Sequence, residues 1–337
     1  MSTATAARGR LRRSDCAGVG IRRRRHGRGF AYRDDDGRPI EDEETLSRIR
    51  ALAIPPAWED VWICADPLGH IQATGIDAAG RKQYLYHERW QLRAAERKFG
   101  SMRRFAAALP RLRRAVRHDL RRDGLPRERA LACAVRLLDR GFLRVGGEEY
   151  ADSNGSFGVA TMRREHVSLR NGELLFDFPA KSGQRRVLAL SDEEARRAIE
   201  EMRRRRGGPP DLLVFRDGSG WHDVRSDDVN AYIQEHAGED FSAKDFRTWH
   251  GTVLAAIELS TEGPRESAAG AERGIRAAIG RVAEALGNTP AVCRSSYVDP
   301  RVLDRYREGV TIAAASAGSP GPRAQSRIER EVLGLLD

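Results

Sequence analysis

Near Gln91 the apolar residues of this chain change period, and few folds accommodate both halves. Upstream, Val61-Trp62-Ile63-Cys64 and His70-Ile71-Gln72-Ala73-Thr74 flank a Pro67-Leu68-Gly69 turn, and Arg81–His87 follows a turn at Gly80. Short runs rich in β-branched and aromatic residues, separated by Gly and Pro, read as strands. Downstream, Leu92, Ala95, Phe99, Met102, Phe105, Leu109, Leu112 and Val116 keep helical spacing through Gly100 and Pro110. Strands followed by helices in separate stretches predict an α+β chain. Its 337 residues suffice for two domains. The boundaries fall at a basic tail over 1–28, a β-rich part over 29–90, a mainly helical part over 91–314, and a tail over 315–337 with a short helix.

Charge sets the class of partner. The net charge is +10, and a chain this basic favours a polyanion, nucleic acid ahead of a membrane surface. Residues 1–28 hold nine arginines against one aspartate, including Arg22-Arg23-Arg24-Arg25. Such a run is expected to be a solvated, disordered arm that clamps phosphates without reading sequence. No apolar run approaches a membrane span, and the N-terminus shows no apolar export signal, which predicts a cytoplasmic protein. Cys16, Cys64, Cys133 and Cys293 are scattered without metal-ligand spacing and read as free thiols.

Along the β-rich part, Phe30-Ala31-Tyr32 and Asp36-Gly37 suggest a hairpin, and Leu46, Ile49 and Leu52 mark one helix face. Arg81–His87 alternates, setting Arg81 and Gln83 opposite Tyr84 and Tyr86. Basic, amide and aromatic groups on an exposed strand suit phosphate and base-edge contacts. A helix over about Glu128–Asp139 runs into Phe142-Leu143-Arg144-Val145-Gly146, where an apolar-flanked arginine needs a partner: a structural carboxylate or a phosphate. A three-stranded pattern follows, starting with Gly158–Met162 and turning at Asn171-Gly172. Lys181 sits at a hairpin tip, where most lysines are solvated and a few reach into a groove. Ser191 and Glu194 form a capping box for the next helix, and later helices span about 226–235, 244–259, 271–286 and 300–307. Between the last two, Gly287 stops one helix and Thr289-Pro290 restart another, with Tyr297 at its far end. A phenol so presented can carry a covalent intermediate, although most tyrosines simply edge a core.

Taken together, Phe142-Leu143-Arg144-Val145-Gly146, the hairpin Lys181, Lys244-Asp245-Phe246-Arg247-Thr248, Asn288-Thr289-Pro290 and Tyr297 resemble the type IB DNA topoisomerases. The likeness is to the compact poxvirus-type enzymes and their bacterial relatives, and covers about residues 30–310. It implies a β-rich N-terminal domain and a helical catalytic domain with a three-stranded β element, closing as a C-shaped clamp on double-stranded DNA. It implies a monomeric enzyme that relaxes supercoils through a 3′-phosphotyrosyl intermediate, with neither ATP nor metal. Tyr297 would be the nucleophile, Arg144, Arg247 and Asn288 would meet the phosphate oxygens, and Lys181 would protonate the leaving 5′-oxygen. Arg81, Gln83, Tyr84, Tyr86, Tyr150 and Lys244 would contact DNA.

The sequence departs from the poxvirus pattern at Asn288, where those enzymes carry histidine, and at Gly147 and Glu149, where they carry lysines. The pH dependence and cleavage preference of the poxvirus enzymes therefore do not carry over to this chain. Two other readings share the charge. A tyrosine recombinase would place a histidine beside Arg247 and a helical domain before the catalytic one. A non-catalytic DNA clamp would leave Tyr297, Lys181 and both arginines without a role.

Overall fold

A computed structural model describes residues 9–313 and 322–337, and gives the backbone alone for Tyr150, Asp152, Ser182, Pro322 and Arg323. The chain divides into two compact units, Met1–Lys98 and Phe99–Asp337.

In the first unit, strands β1 (Ile21–His26), β2 (Gly29–Arg33), β3 (Glu59–Ile63), β4 (Ile71–Ile76) and β5 (Lys82–Tyr86) form one antiparallel sheet in the order β2-β1-β3-β4-β5. Helix α1 (Glu43–Ala51) is capped by the Asp42 side chain, which accepts from the Thr45 amide. Ile49 of this helix packs with Ile21, Val61, Ile63 and Ala73 of the sheet. The arginine run is thus no disordered arm: Arg22–Arg25 are paired residues of β1, and residues 1–8 lie outside the described part. Arg23 lies 4.1 Å from the Phe30 ring centre and donates to the Ile54, Pro55 and Trp58 carbonyls, while Arg24 and Arg25 stay exposed. Upstream, the buried Trp62 Nε1 donates to Gly18 O at 3.2 Å and Ser14 Oγ to Ile71 O at 2.9 Å, which fixes that segment as well. The strand Gly29–Arg33 pairs with β1 before it; Asp36-Gly37 turns the chain into a single bridge, Arg33 to Pro39.

Helix α2 (Glu88–Leu120) begins in the first unit and ends in the second, and tolerates Pro110. The second unit continues with α3 (Arg127–Gly141), α4 (Glu148–Asn154), strands β6 (Val167–Arg170), β7 (Glu173–Pro179) and β8 (Arg185–Leu190), and α5 (Glu193–Arg204). Then come β9 (Val214–Asp217), β10 (Gly220–Asp223), α6 (Ser226–Ala237), α7 (Ala243–Glu262), α8 (Ala268–Leu286), α9 (Pro290–Ser296), α10 (Pro300–Arg307) and α11 (Pro322–Leu335). Strands β6, β7 and β8 form an antiparallel sheet, its first turn made by Asn171 and Gly172, both at positive φ. Gly158–Met162 is a turn rather than a strand, because its amides bond outside any sheet. Helix α5 is capped by Asp192, which accepts from the Ala195 amide, in place of the predicted Ser191 box.

Helices hold the centre of this unit. Phe105 of α2 meets Phe246 of α7 edge to face at 5.1 Å, and Trp249 and Leu131 are buried beside them. Beneath α7, Arg113 reaches both Asp139 and Glu329 with forked bonds of 2.7–2.8 Å, and His250 Nε2 stands 3.3 Å from Asp139. Burial alone would raise the Asp139 carboxyl, but the Arg113 charge and the His250 bond hold it well below the usual carboxylate range. Glu329 belongs to α11, where Ile328 and Val332 are buried, so the expected C-terminal tail is a packed helix from residue 322. Among the described residues no helix is long and apolar enough to cross a membrane, and all four cysteines are free.

Candidate active site

Helix α3 ends where Phe142 adopts the left-handed conformation (φ 52°), and the chain leaves it extended with Arg144 on the way. The backbone there is fixed from outside. Val159 N donates to Arg144 O at 2.9 Å and Ala160 N to Val145 O at 2.7 Å. The two segments touch so closely that a Cβ on Gly158 would lie 2.4 Å from Gly146 N, so only glycine fits.

Arg247, one turn into α7 and 5% exposed, donates to Phe142 O at 2.7 Å and to Leu286 O at 2.6 Å. Its Nε is buried without a partner. Helix α8 stops at Gly287 (φ 61°), Thr289 Oγ1 accepts from the Val292 amide, and Pro290 opens α9. The predicted stop and restart are both present. They deliver Tyr297 to the end of α9, where Arg144 Nη1 donates to its hydroxyl at 3.3 Å and the Arg247 guanidinium lies 5.1 Å from its ring centre. From below, α7 holds the tyrosine by its main chain: Thr252 Oγ1 donates to Tyr297 O at 3.3 Å.

The electrostatics are one-sided. Arg144 also donates to Asn288 Oδ1 and to Gly287 O, and among the described residues neither it nor Arg247 has a carboxylate partner. That removes the structural-carboxylate reading of Arg144. Burial, and then the charge of Arg144, push Arg247 down to about 10. Burial would raise the Tyr297 phenol, yet the Arg144 bond and the two guanidinium charges bring it below its ordinary value. Lys181 stands exposed in the turn Lys181–Gly183 between β7 and β8, and lines the same cleft as Arg144, Arg247 and Asn288. The arrangement can bind one anionic group next to a phenol whose ionisation two guanidinium groups favour, in a cleft that Lys181 also lines.

The remaining predicted residues fall elsewhere. Lys244 is exposed one turn before Arg247 and does not line the cleft. Tyr84 and Tyr86 are 42% and 39% exposed on the edge strand β5, their rings stacked at 6.1 Å. Arg81 and Gln83, of the opposite parity, both bond Asp77, whose carboxyl is lowered to about 2, first by the Arg81 backbone amide and then by the side-chain bonds. The side chain of Tyr150, in α4, lies outside the described part. One cleft residue went unnoticed in the sequence: Arg186 on β8, whose guanidinium donates to Ala285 O at 2.6 Å. A signal existed, because Arg186 shares its parity with Leu188 and Leu190 on the inward face.

Residues 87–316 match the family model of the eukaryotic DNA topoisomerase I catalytic core, and residues 29–77 match that of the bacterial DNA topoisomerase IB N-terminal domain. The chain belongs to the type IB DNA topoisomerase family. It is 31% identical to the DNA topoisomerase 1B of Acanthamoeba polyphaga mimivirus over 294 residues, which is 86% of this chain and 88% of that protein. The DNA topoisomerases 1 of Candidozyma auris and Schizosaccharomyces pombe are each 27% identical, over 46% and 48% of this chain and 20% and 19% of their own lengths. The β-rich N-terminal match also sets the chain apart from the recombinase reading, which required a helical domain there.

Proposed function

We propose that the protein relaxes supercoiled duplex DNA by cutting and resealing one strand through Tyr297. The phenolate attacks the scissile phosphorus, the bond to the 5′-oxygen breaks, and a 3′-phosphotyrosyl link forms. Lys181 gives the leaving 5′-oxygen its proton. Arg144 and Arg247 meet the non-bridging oxygens with guanidinium bonds, and Asn288 adds an amide. One phosphoester replaces another of similar energy, so the exchange needs no external energy source. Rotation of the cut strand releases torsion before the reverse attack reseals it.

The carrying observation is the Tyr297 phenol in contact with Arg144 and Arg247, two cleft-lining guanidinium groups that have no carboxylate partner among the described residues. An anion is what such a site lacks, and a phosphodiester supplies it. Arg81, Gln83, Tyr84, Tyr86, Tyr150 and Lys244 serve as further DNA contacts, and the two units close on the duplex as a C-shaped clamp, a reading supported by family matches in both units. All five catalytic candidates come from one chain, which supports a monomer working on the DNA of the nucleoid. The test is to incubate the protein with supercoiled plasmid, EDTA and no nucleotide. Relaxed topoisomers are expected; plasmid that stays supercoiled overturns the proposal.

A further inference from the structure

The C-terminal end of α8 presents three carbonyl oxygens in succession, and each accepts from a different arginine. Ala285 O accepts from Arg186 at 2.6 Å, Leu286 O from Arg247 at 2.6 Å, and Gly287 O from Arg144 at 3.4 Å. These are the carbonyls a helix leaves without internal partners, at the negative end of its dipole. Two of the three arginines are those already placed around the phosphate. The third, Arg186, has the same local arrangement: a half-buried guanidinium, one anchor on α8, and no carboxylate partner among the described residues.

A guanidinium carries five N–H donors, and the bond of Arg186 to Ala285 O uses one nitrogen. Its Nη1 lies 3.7 Å from the position a Cβ would take on Gly287, at the floor of the cleft lined also by Lys181, Gln184 and Asn288. Arg144 and Arg247 both touch Tyr297, whereas Arg186 stands on the strand that leaves the Lys181 turn. Burial and the charge of Arg144 both make its own charge harder to hold, which an incoming anion would relieve. A simple cap on α8 would require neither a place in this cleft nor a third cation beside two unpaired ones.

We propose that Arg186 is a third phosphate ligand of the active site, bound to a phosphodiester of the cleaved strand on the Lys181 side. The inference rests on the topoisomerase reading above. Carbonyls of α8 hold the three guanidinium groups apart and aimed before DNA arrives, so little reorganisation is left for the binding step.

The test uses full-length protein and synthetic duplexes in which one phosphate at a time is made neutral as a methylphosphonate. Single-turnover cleavage is measured for wild type and for Arg186→Gln. On unmodified duplex the variant should be slower by roughly 10²-fold, as for the loss of one oxyanion donor. At one phosphate near the cleavage site that deficit should vanish, because the group Arg186 would bind is already neutral. Comparing duplexes with one preparation of each protein cancels any inactive fraction. If Arg186→Gln does not fold, Arg186→Lys keeps a cation at the site and is read by the same ratios. A deficit equal on every duplex shows a helix cap only and overturns the proposal. A wild type that cleaves no duplex defeats the topoisomerase reading itself, which is a distinguishable result.

Discussion

At the candidate active site two guanidinium groups meet a phenol: the Tyr297 hydroxyl takes its bond from Arg144, and Arg247 lies 5.1 Å from its ring centre. A cation favours the ionised form of a neighbouring phenol, so on the proposed mechanism Arg144 would do two things at once: bind the phosphate and ease deprotonation of Tyr297. Arg144→Ala should therefore raise the pKa of Tyr297, read from the tyrosinate absorbance as the difference between that variant and its Tyr297→Phe derivative. Cleavage and religation should slow together by about 10²–10³-fold, because both pass through one transition state. Arg144→Lys should not restore the full rate, since an ammonium cannot fork between Asn288, Gly287 and the phenol as the guanidinium does. An unshifted phenol in the alanine variant would place Arg144 in phosphate binding alone. Arg144 stood out in the sequence because an arginine among apolar residues is unusual, whereas Lys181, in a turn where lysines are ordinarily solvated, was singled out by resemblance. Arg186 stood out less, since an arginine on a strand is ordinary until the inward parity of its neighbours is counted.

Among the elements, α7 does most of the placing. Arg247, Gly251 and Thr252 lie on the stretch of helix that faces the end of α9, and Asp299 N donates to Thr252 Oγ1 at 3.1 Å. A Cβ on Gly251 would lie 2.5 Å from Tyr297 O and 2.9 Å from Tyr297 Cβ. Backbone cannot yield there, so the whole Tyr297 segment would have to move. Gly251→Ala should leave the helix intact, since alanine is the better helix former. It should nevertheless slow single-turnover cleavage by about 10²-fold, the cost of misplacing a reacting atom by about 1 Å. DNA affinity should hold. An unchanged cleavage rate would show that the close packing of α7 on Tyr297 is not what positions it. The sequence marked the ends of α8 and α9 through Gly287, Thr289 and Pro290, but it could not show that α7 sets their spacing, because that contact is defined by the absence of a side chain.

Across the molecule, the change of apolar period near Gln91 did separate a sheet-rich part from a helical one. The basic arm was misjudged, and the C-terminal helix was expected but not its packing, for related reasons. Arg22–Arg25 read as too charged to fold, yet the Arg23 guanidinium stacks on Phe30 and bonds carbonyls while Arg24 and Arg25 stay exposed on a paired strand. The last helix read as optional because its partner, Arg113, lies 216 residues away in sequence from Glu329. Long-range ion pairs of this sort leave no periodic trace.

The most direct measurement is to capture the covalent intermediate. The protein is mixed with a duplex carrying a radiolabelled strand whose cleaved end is too short to stay paired, so that religation cannot follow. Wild type is expected to give a denaturant-resistant adduct on the 3′ end of the labelled fragment, mapped by peptide sequencing to Tyr297. Tyr297→Phe should bind the same duplex with unaltered affinity and give none. An adduct formed by Tyr297→Phe, or one mapped to any other residue of the wild type, would contradict the account.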